Sequence, residues 1–317
     1  MLPLIIFFLP FFSINNFDFR LNLRLQKSFV NIFELNLSSI KNAVIKDVNS
    51  IDLRPHYVTR RYAEFTVSIL YLSQSELTSE IAFIKRINQN LSRLREEMEK
   101  LLVRLAEARY KDWKSKTILL INNYDLILSV YSEREITSVD SIQFTKLMDI
   151  KTNDYAQEEL RNSFGRLLNF VKENTYLVKD ELTSNTTTTT TTNNNNQATP
   201  ITASTSLTTP ITSSTSSDVV TDKKLNVKEE EVDLLLREFN NSWKLELEKI
   251  NGNISKLFSN FKCGMKVFQT IMEDLLEAYT IFIKIVRKYY KNLRMSKHFI
   301  PETEVTYEMK KLFVRFD

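Results

Sequence analysis

Residues 84–105, IKRINQNLSRLREEMEKLLVRL, decide the fold class. Ile84, Ile87, Leu91, Leu94, Met98, Leu101 and Leu105 recur at alternating spacings of three and four. That is the period of one face of an α-helix. Lys85, Arg86, Arg93, Arg95, Glu96, Glu97, Glu99 and Lys100 fall between them. A narrow apolar seam with charged flanks is the pattern of a coiled-coil or bundle helix. The spacing predicts a helix over 78–110, roughly 50 Å long at 1.5 Å per residue.

Working outward, the same spacing returns near the other end. Leu236, Phe239, Trp243, Leu247, Ile250, Ile254, Leu257 and Phe261 hold it, and Met265, Phe268, Met272, Leu275, Tyr279, Phe282 and Val286 extend it. Gly252 and Gly264 lie inside this run and are candidate interruptions, because glycine costs about 1 kcal/mol relative to alanine within a helix. Shorter helices are predicted at 57–72, 115–133, 155–182 and, after Pro301, at 302–316. No stretch alternates with period two. The expectation is an all-α fold of long antiparallel helices forming bundles.

Composition narrows the function classes. The chain has three glycines, two histidines and one cysteine in 317 residues. Average usage would give about twenty glycines in this length. Gly165, Gly252 and Gly264 share no motif, so phosphate-cradling and dinucleotide-binding loops are excluded. Cys263, His56 and His298 cannot form a Cys/His zinc site. One cysteine excludes a disulfide framework and fits a reducing compartment. The 43 Lys and Arg exceed the 39 Asp and Glu by only four. That balance is too even for a general nucleic-acid or membrane-binding surface. No cofactor and no nucleic-acid partner are expected.

Two segments stand apart from the helical pattern. Residues 1–30 open with MLPLIIFFLPFF, an apolar run too short to span a bilayer and bracketed by Pro3 and Pro10. It is read as an atypical start outside the core. Residues 183–224 are rich in Thr, Asn and Ser, with Thr186–Thr192 followed by Asn193–Asn196. They hold too little apolar surface to offset ordering entropy and are read as a disordered insertion. It separates a first helical block, 31–182, from a second, 225–317, the two forming one rod.

No constellation supports catalysis. Cys263 is read as a buried helical residue, and neither histidine has a partner nucleophile or acid in sequence context. Two surface features rise above background. Arg54–Phe65, RPHYVTRRYAEF, gathers arginines and tyrosines of the kind favoured at binding hot spots. It reads as a partner-binding segment through Arg54, His56, Tyr57, Arg60, Arg61 and Tyr62, or as a helix start whose Tyr62 and Phe65 face the core. Lys284, Arg287, Lys288, Lys291, Arg294 and Lys297 fall mostly on one side of a continued helix. They read as a face for anionic lipid or an acidic partner, or as cations complementing a helix C-terminus.

RPHYVTRRYAEF resembles the signature of the vacuolar protein sorting subunit 52 family. Leu120–Asp125 (LINNYD), Phe164-Gly165 with Phe170–Glu173 (FVKE), Ser242-Trp243-Lys244, Phe258–Phe261 and Met309-Lys310-Lys311 resemble further family segments in the same order. The resemblance runs from about Asn31 to Asp317 and is to the C-terminal part of such a subunit. It implies stacked helical bundles of the CATCHR type in an elongated tether rod. It implies a non-catalytic subunit of the GARP and EARP vesicle tethers, acting in endosome-to-Golgi retrograde transport and endocytic recycling. Implied partners are sister subunits, a Rab-family small GTPase and syntaxin-type SNAREs. The implied location is the cytoplasmic face of the trans-Golgi network and endosomes, by peripheral membrane association. From the residues alone, a structural coiled-coil protein that homo-oligomerises through the 78–110 helix is the alternative.

Overall fold

The computed structural model describes residues 19–43, 52–74, 81–178 and 227–314. The segments 1–18 and 183–224 lie outside these, and so do the expectations attached to them. The described residues form eight α-helices and no strand. They are α1 (Phe19–Lys41), α2 (Tyr57–Gln74), α3 (Ile81–Arg109), α4 (Trp113–Glu133), α5 (Val139–Asn174), α6 (Glu229–Leu257), α7 (Phe261–Tyr289) and α8 (Glu302–Val314). Short 3₁₀ turns follow α5 and α7. The all-α expectation holds.

The chain divides into two compact units. Unit 1 takes residues 1–163 and 244–275; unit 2 takes 164–243 and 276–317. α1 begins at Phe19, ahead of the boundary at residue 30 drawn from the apolar start. α5 begins at Val139, sixteen residues earlier than the predicted 155. Its start carries a reciprocal cap: Ser138 Oγ accepts from the Ser141 N–H at 3.1 Å, and the Ser138 N–H donates to Ser141 Oγ at 3.0 Å.

In unit 1, α3 packs against α1, α2 and α4, and α2 against α4. The contacts give the directions. Glu34 meets Arg93 at 2.7 Å, and the Arg104 guanidinium donates to the carbonyls of Ile40 at 3.4 Å and Lys41 at 3.2 Å. α1 and α3 therefore run parallel. Thr59 meets Asn123, and the Tyr131 hydroxyl donates to Thr66 Oγ1 at 3.1 Å, so α2 and α4 are parallel too. Successive helices alternate up and down, as short connections favour in a bundle. The α3 seam lies inside: Leu91, Leu94, Met98, Leu101 and Leu105 are all buried. Its apolar face is thus covered by helices of the same chain, which removes the basis for homo-oligomerisation through the 78–110 helix.

The run expected to break at Gly264 breaks earlier, at Phe258–Asn260. The Lys262 N–H donates to Asn260 Oδ1 at 3.0 Å, so Asn260 caps the new helix. Gly264 is instead a close-packing position: a Cβ there would meet Ile254 Cγ2 at 3.1 Å. Gly252 interrupts nothing and lies within α6. α5 does bend, at Phe164 (φ −129°, ψ 23°).

Unit 2 is organised around rings. Phe239 stacks on Tyr279 at 4.2 Å and on Trp243 at 5.9 Å, and Phe170 meets Phe282 edge-on at 5.4 Å. In α8, Val305, Met309 and Leu312 are buried. The Tyr279 hydroxyl donates to the Ile300 carbonyl at 2.7 Å, and Arg287 pairs with Glu302 at 3.0 Å. At one end of the unit, Lys288 Nζ donates to the Leu177 carbonyl at 3.3 Å, and the Tyr290 hydroxyl to the Val227 carbonyl at 2.9 Å.

Candidate functional site

The arginine- and tyrosine-rich segment forms the start of α2. Its first turn has orphan N–H groups that need acceptors. Asn123, projecting from α4, supplies one from outside the helix. Its Oδ1 accepts the His56 N–H at 2.9 Å and the Thr59 hydroxyl at 2.6 Å, while its Nδ2 donates to the Leu119 carbonyl at 2.7 Å. Its neighbour Asn122 works in the other direction along the unit. Asn122 Nδ2 donates to the carbonyls of Leu53 at 2.8 Å and Leu257 at 3.1 Å, and its Oδ1 accepts the Ser259 N–H at 3.1 Å. Asn260 Nδ2 then donates to Asp125 at 2.8 Å. The LINNYD segment thus ties the start of α2 to the α6–α7 corner. Both asparagines are buried and fully engaged. In sequence they stand out within LINNYD as polar residues inside the apolar run Ile118–Ile127, with nothing local to show what they bond.

This junction sorts the six candidate residues. Tyr62 is 3% exposed and meets Phe144 edge-on at 6.0 Å. It belongs to the core and offers nothing to a partner, because its i, i+4 relation to Thr66 turns it toward α4 and α5. His56 is half-buried, and both burial and Arg109 push its imidazole below the ordinary histidine range. It is therefore neutral at pH 7. Arg54 grips Asp52 with both arms of its guanidinium at 2.9 Å, which holds the Asp52 carboxyl below the usual carboxylate range. Arg60 pairs with Glu64 at 3.0 Å. Tyr57 is 66% exposed, flanked by the His56 ring at 4.5 Å and by the Arg61 guanidinium at 5.4 Å. Tyr57 and Arg61 form an exposed stack, while Arg54 and Arg60 are exposed but paired with Asp52 and Glu64.

The basic residues do not share one α-helix. α7 ends at Tyr289, because the next tyrosine turns inward and hydrogen-bonds to Val227. Arg287 pairs with Glu302 and lies over the Phe299 ring at 5.7 Å. Lys288 is tied to Leu177, and Lys284 is half-buried. Lys291, Arg294 and Lys297 are exposed beyond the helix end.

The remaining polar groups have structural settings. Cys263 is buried beside Asp125, and burial pushes its thiol well above the ordinary range, which disfavours the reactive thiolate. A polar cleft of 310 Å³ is lined by Lys114, Glu159, Asn162, Ser163, Glu246 and Lys249, with Lys114 and Glu159 already ion-paired. Among the described residues, no group of three His, Cys, Asp or Glu side chains could hold a metal ion.

Comparison with known proteins returns one family. Residues 12–159 match the family model described as Vps52, C-terminal. The vacuolar protein sorting-associated protein 52 homologue of Homo sapiens is 28% identical over 256 residues, covering 80% of this chain and 29% of that protein. Vacuolar protein sorting-associated protein 52 B of Arabidopsis thaliana is 27% identical over 293 residues, covering 92% of this chain and 35% of its own. The homologue of Caenorhabditis elegans is 24% identical over 269 residues, covering 84% and 31%. The chain therefore spans about a third of the length of the curated relatives it matches. No solved structure matches it. The matched model takes in the start of α2 and the asparagine pair that caps it, and on these matches the chain is similar to the C-terminal part of Vps52 proteins.

Proposed function

We propose that this protein is a non-catalytic subunit of a multisubunit vesicle-tethering complex of the GARP and EARP kind. In this reading it acts in retrograde transport from endosomes to the trans-Golgi network and in endocytic recycling. It assembles with sister tether subunits, engages a Rab-family GTPase and syntaxin-type SNAREs, and lies on the cytoplasmic face of those membranes. Among the described residues no helix is long and apolar enough to cross a membrane, so the association in this reading is peripheral. The observation that carries it is the division of labour in RPHYVTRRYAEF. Thr59, Tyr62 and Ala63 are buried by the fold, whereas Tyr57 and Arg61 form an exposed, stacked pair. Tyrosine and arginine in that arrangement combine area with directional hydrogen bonding, which suits a docking face.

Affinity purification of the full-length protein from its source cells should recover sister tether subunits. Recovery of none counts against the tether reading. Arg60→Glu with Arg61→Glu should weaken binding to a Rab-family GTPase or a syntaxin by roughly thirtyfold, the scale of one hot spot. Helical circular dichroism should not change. Unaltered affinity in the double variant would remove the docking role from this face.

A further inference from the structure

The exposed cations beyond α7 have a geometry that an α-helical reading conceals. Lys291–Met295 is a 3₁₀ turn. With three residues per turn, side chains three apart eclipse one another. Lys291 and Arg294 thus lie on one edge, and Lys297 follows beyond the turn, after the extended Ser296. The other edge is held against α6. Tyr290 donates to the Val227 carbonyl, Asn292 Nδ2 to Glu229 at 3.4 Å and Ser296 Oγ to Asp233 at 3.2 Å, and Leu293 is buried. The turn touches two carboxylates, the partly buried Asp233 and the exposed Glu229, and Lys291, Arg294 and Lys297 are exposed beside them. Glu230 and Glu231 are also exposed on α6, so the positive character is local to the turn.

Met295 projects from this same turn at 92% exposure. A lone exposed apolar residue needs no explanation by itself. Its position among three outward cations is what gives it meaning. A peptide partner would bury an apolar anchor in a pocket and pair each cation with a fixed carboxylate. A bilayer surface needs neither: it takes a protruding apolar side chain at the headgroup level and holds cations against many equivalent phosphates.

We propose that the Lys291–Lys297 turn is a contact for an anionic membrane surface, with Met295 entering the headgroup region and Lys291, Arg294 and Lys297 on the lipid phosphates. It is one weak anchor of the kind that works together with others.

The test is vesicle flotation of the full chain. Phosphatidylcholine–phosphatidylserine vesicles should carry the protein and phosphatidylcholine vesicles should not, with the bound fraction falling as salt rises. Each cation near an anionic surface contributes about fivefold. Lys291→Glu with Arg294→Glu should therefore reduce binding by more than about tenfold. Met295→Asp should reduce it further, and Met295→Leu should preserve it. Equal flotation with neutral vesicles, no flotation at all, or indifference to these variants would overturn the proposal. So would capture by polyglutamate that persists in Met295→Asp. Recovery of sister subunits by the same variants reports separately on the tether reading, since the two need not fail together.

Discussion

In unit 1, two buried amides do at the α2–α4–α6 junction what five aromatic rings do in unit 2. Asn122 and Asn123 hold the start of α2 and the α6–α7 corner by named donors and acceptors at 2.6–3.1 Å. Phe170, Phe239, Trp243, Tyr279 and Phe282 hold α5, α6 and α7 by contact between ring faces and edges. The two devices fail differently. Ring packing supplies much apolar burial and tolerates small rotations. An amide junction supplies a modest net gain but a large penalty when half of it is removed, because the abandoned groups stay buried. The first device gives stability, and the second fixes register.

The largest expected effect is on the aromatic side. Trp243 is 1% exposed, and Trp243→Ala should destabilise by about 3–5 kcal/mol in urea unfolding. A loss below about 1 kcal/mol would mean that the rings do not carry unit 2.

Next comes the junction. Asn123→Leu leaves the His56 N–H and the Thr59 hydroxyl without an acceptor and should cost about 2–4 kcal/mol. Adding Thr59→Val should cost little more, since it removes one of the stranded groups. Additive costs in that double-mutant cycle would break the contrast drawn above.

The smallest effect is one of pH. Burial raises the Asp125 carboxyl above the ordinary carboxylate range, outweighing the hydrogen bonds from Asn260 and Cys263 that lower it. A group raised in the fold contributes stability that is complete below its unfolded value and is lost as pH rises through the folded one. Asp125→Asn removes that dependence. The variant should therefore gain on the parent protein as pH rises from acid toward neutrality, read from thermal midpoints across that range. A constant difference across the range would show that Asp125 does not contribute to the junction's pH response.

Much of the first unit could be read from spacing. The α3 seam is buried where the three-four pattern places it, and α2 and α4 begin within two residues of their predicted starts. What could not be read depends on partners distant in sequence. Nothing local marks the end of α7 at Tyr289. Tyr290 leaves the helix because a carbonyl sixty-three residues away accepts its hydroxyl, and this divides the basic stripe. Gly264 drew the expected helix break to itself, although the stop signal was Ser259-Asn260, a capping sequence before Phe261. Tyr62 and Tyr57 look alike in composition. Only the packing of α2 on α4 and α5 sends one inward and leaves the other outside.

Lys288 and Tyr290 hold, respectively, the last described turn before residue 179 and the first residue after 226. Two positions separated by one residue, the first in the last turn of α7 and the second just past its end, therefore receive both ends of one long connection. The entropy of closing a connection grows only with the logarithm of its length, about 0.6 kcal/mol per doubling. Runs such as Thr186–Thr192 and Asn193–Asn196 are of the repetitive type that lengthens and shortens by slippage during copying. Such a repeat, held at fixed ends, can change size over generations while the helices on either side keep their register.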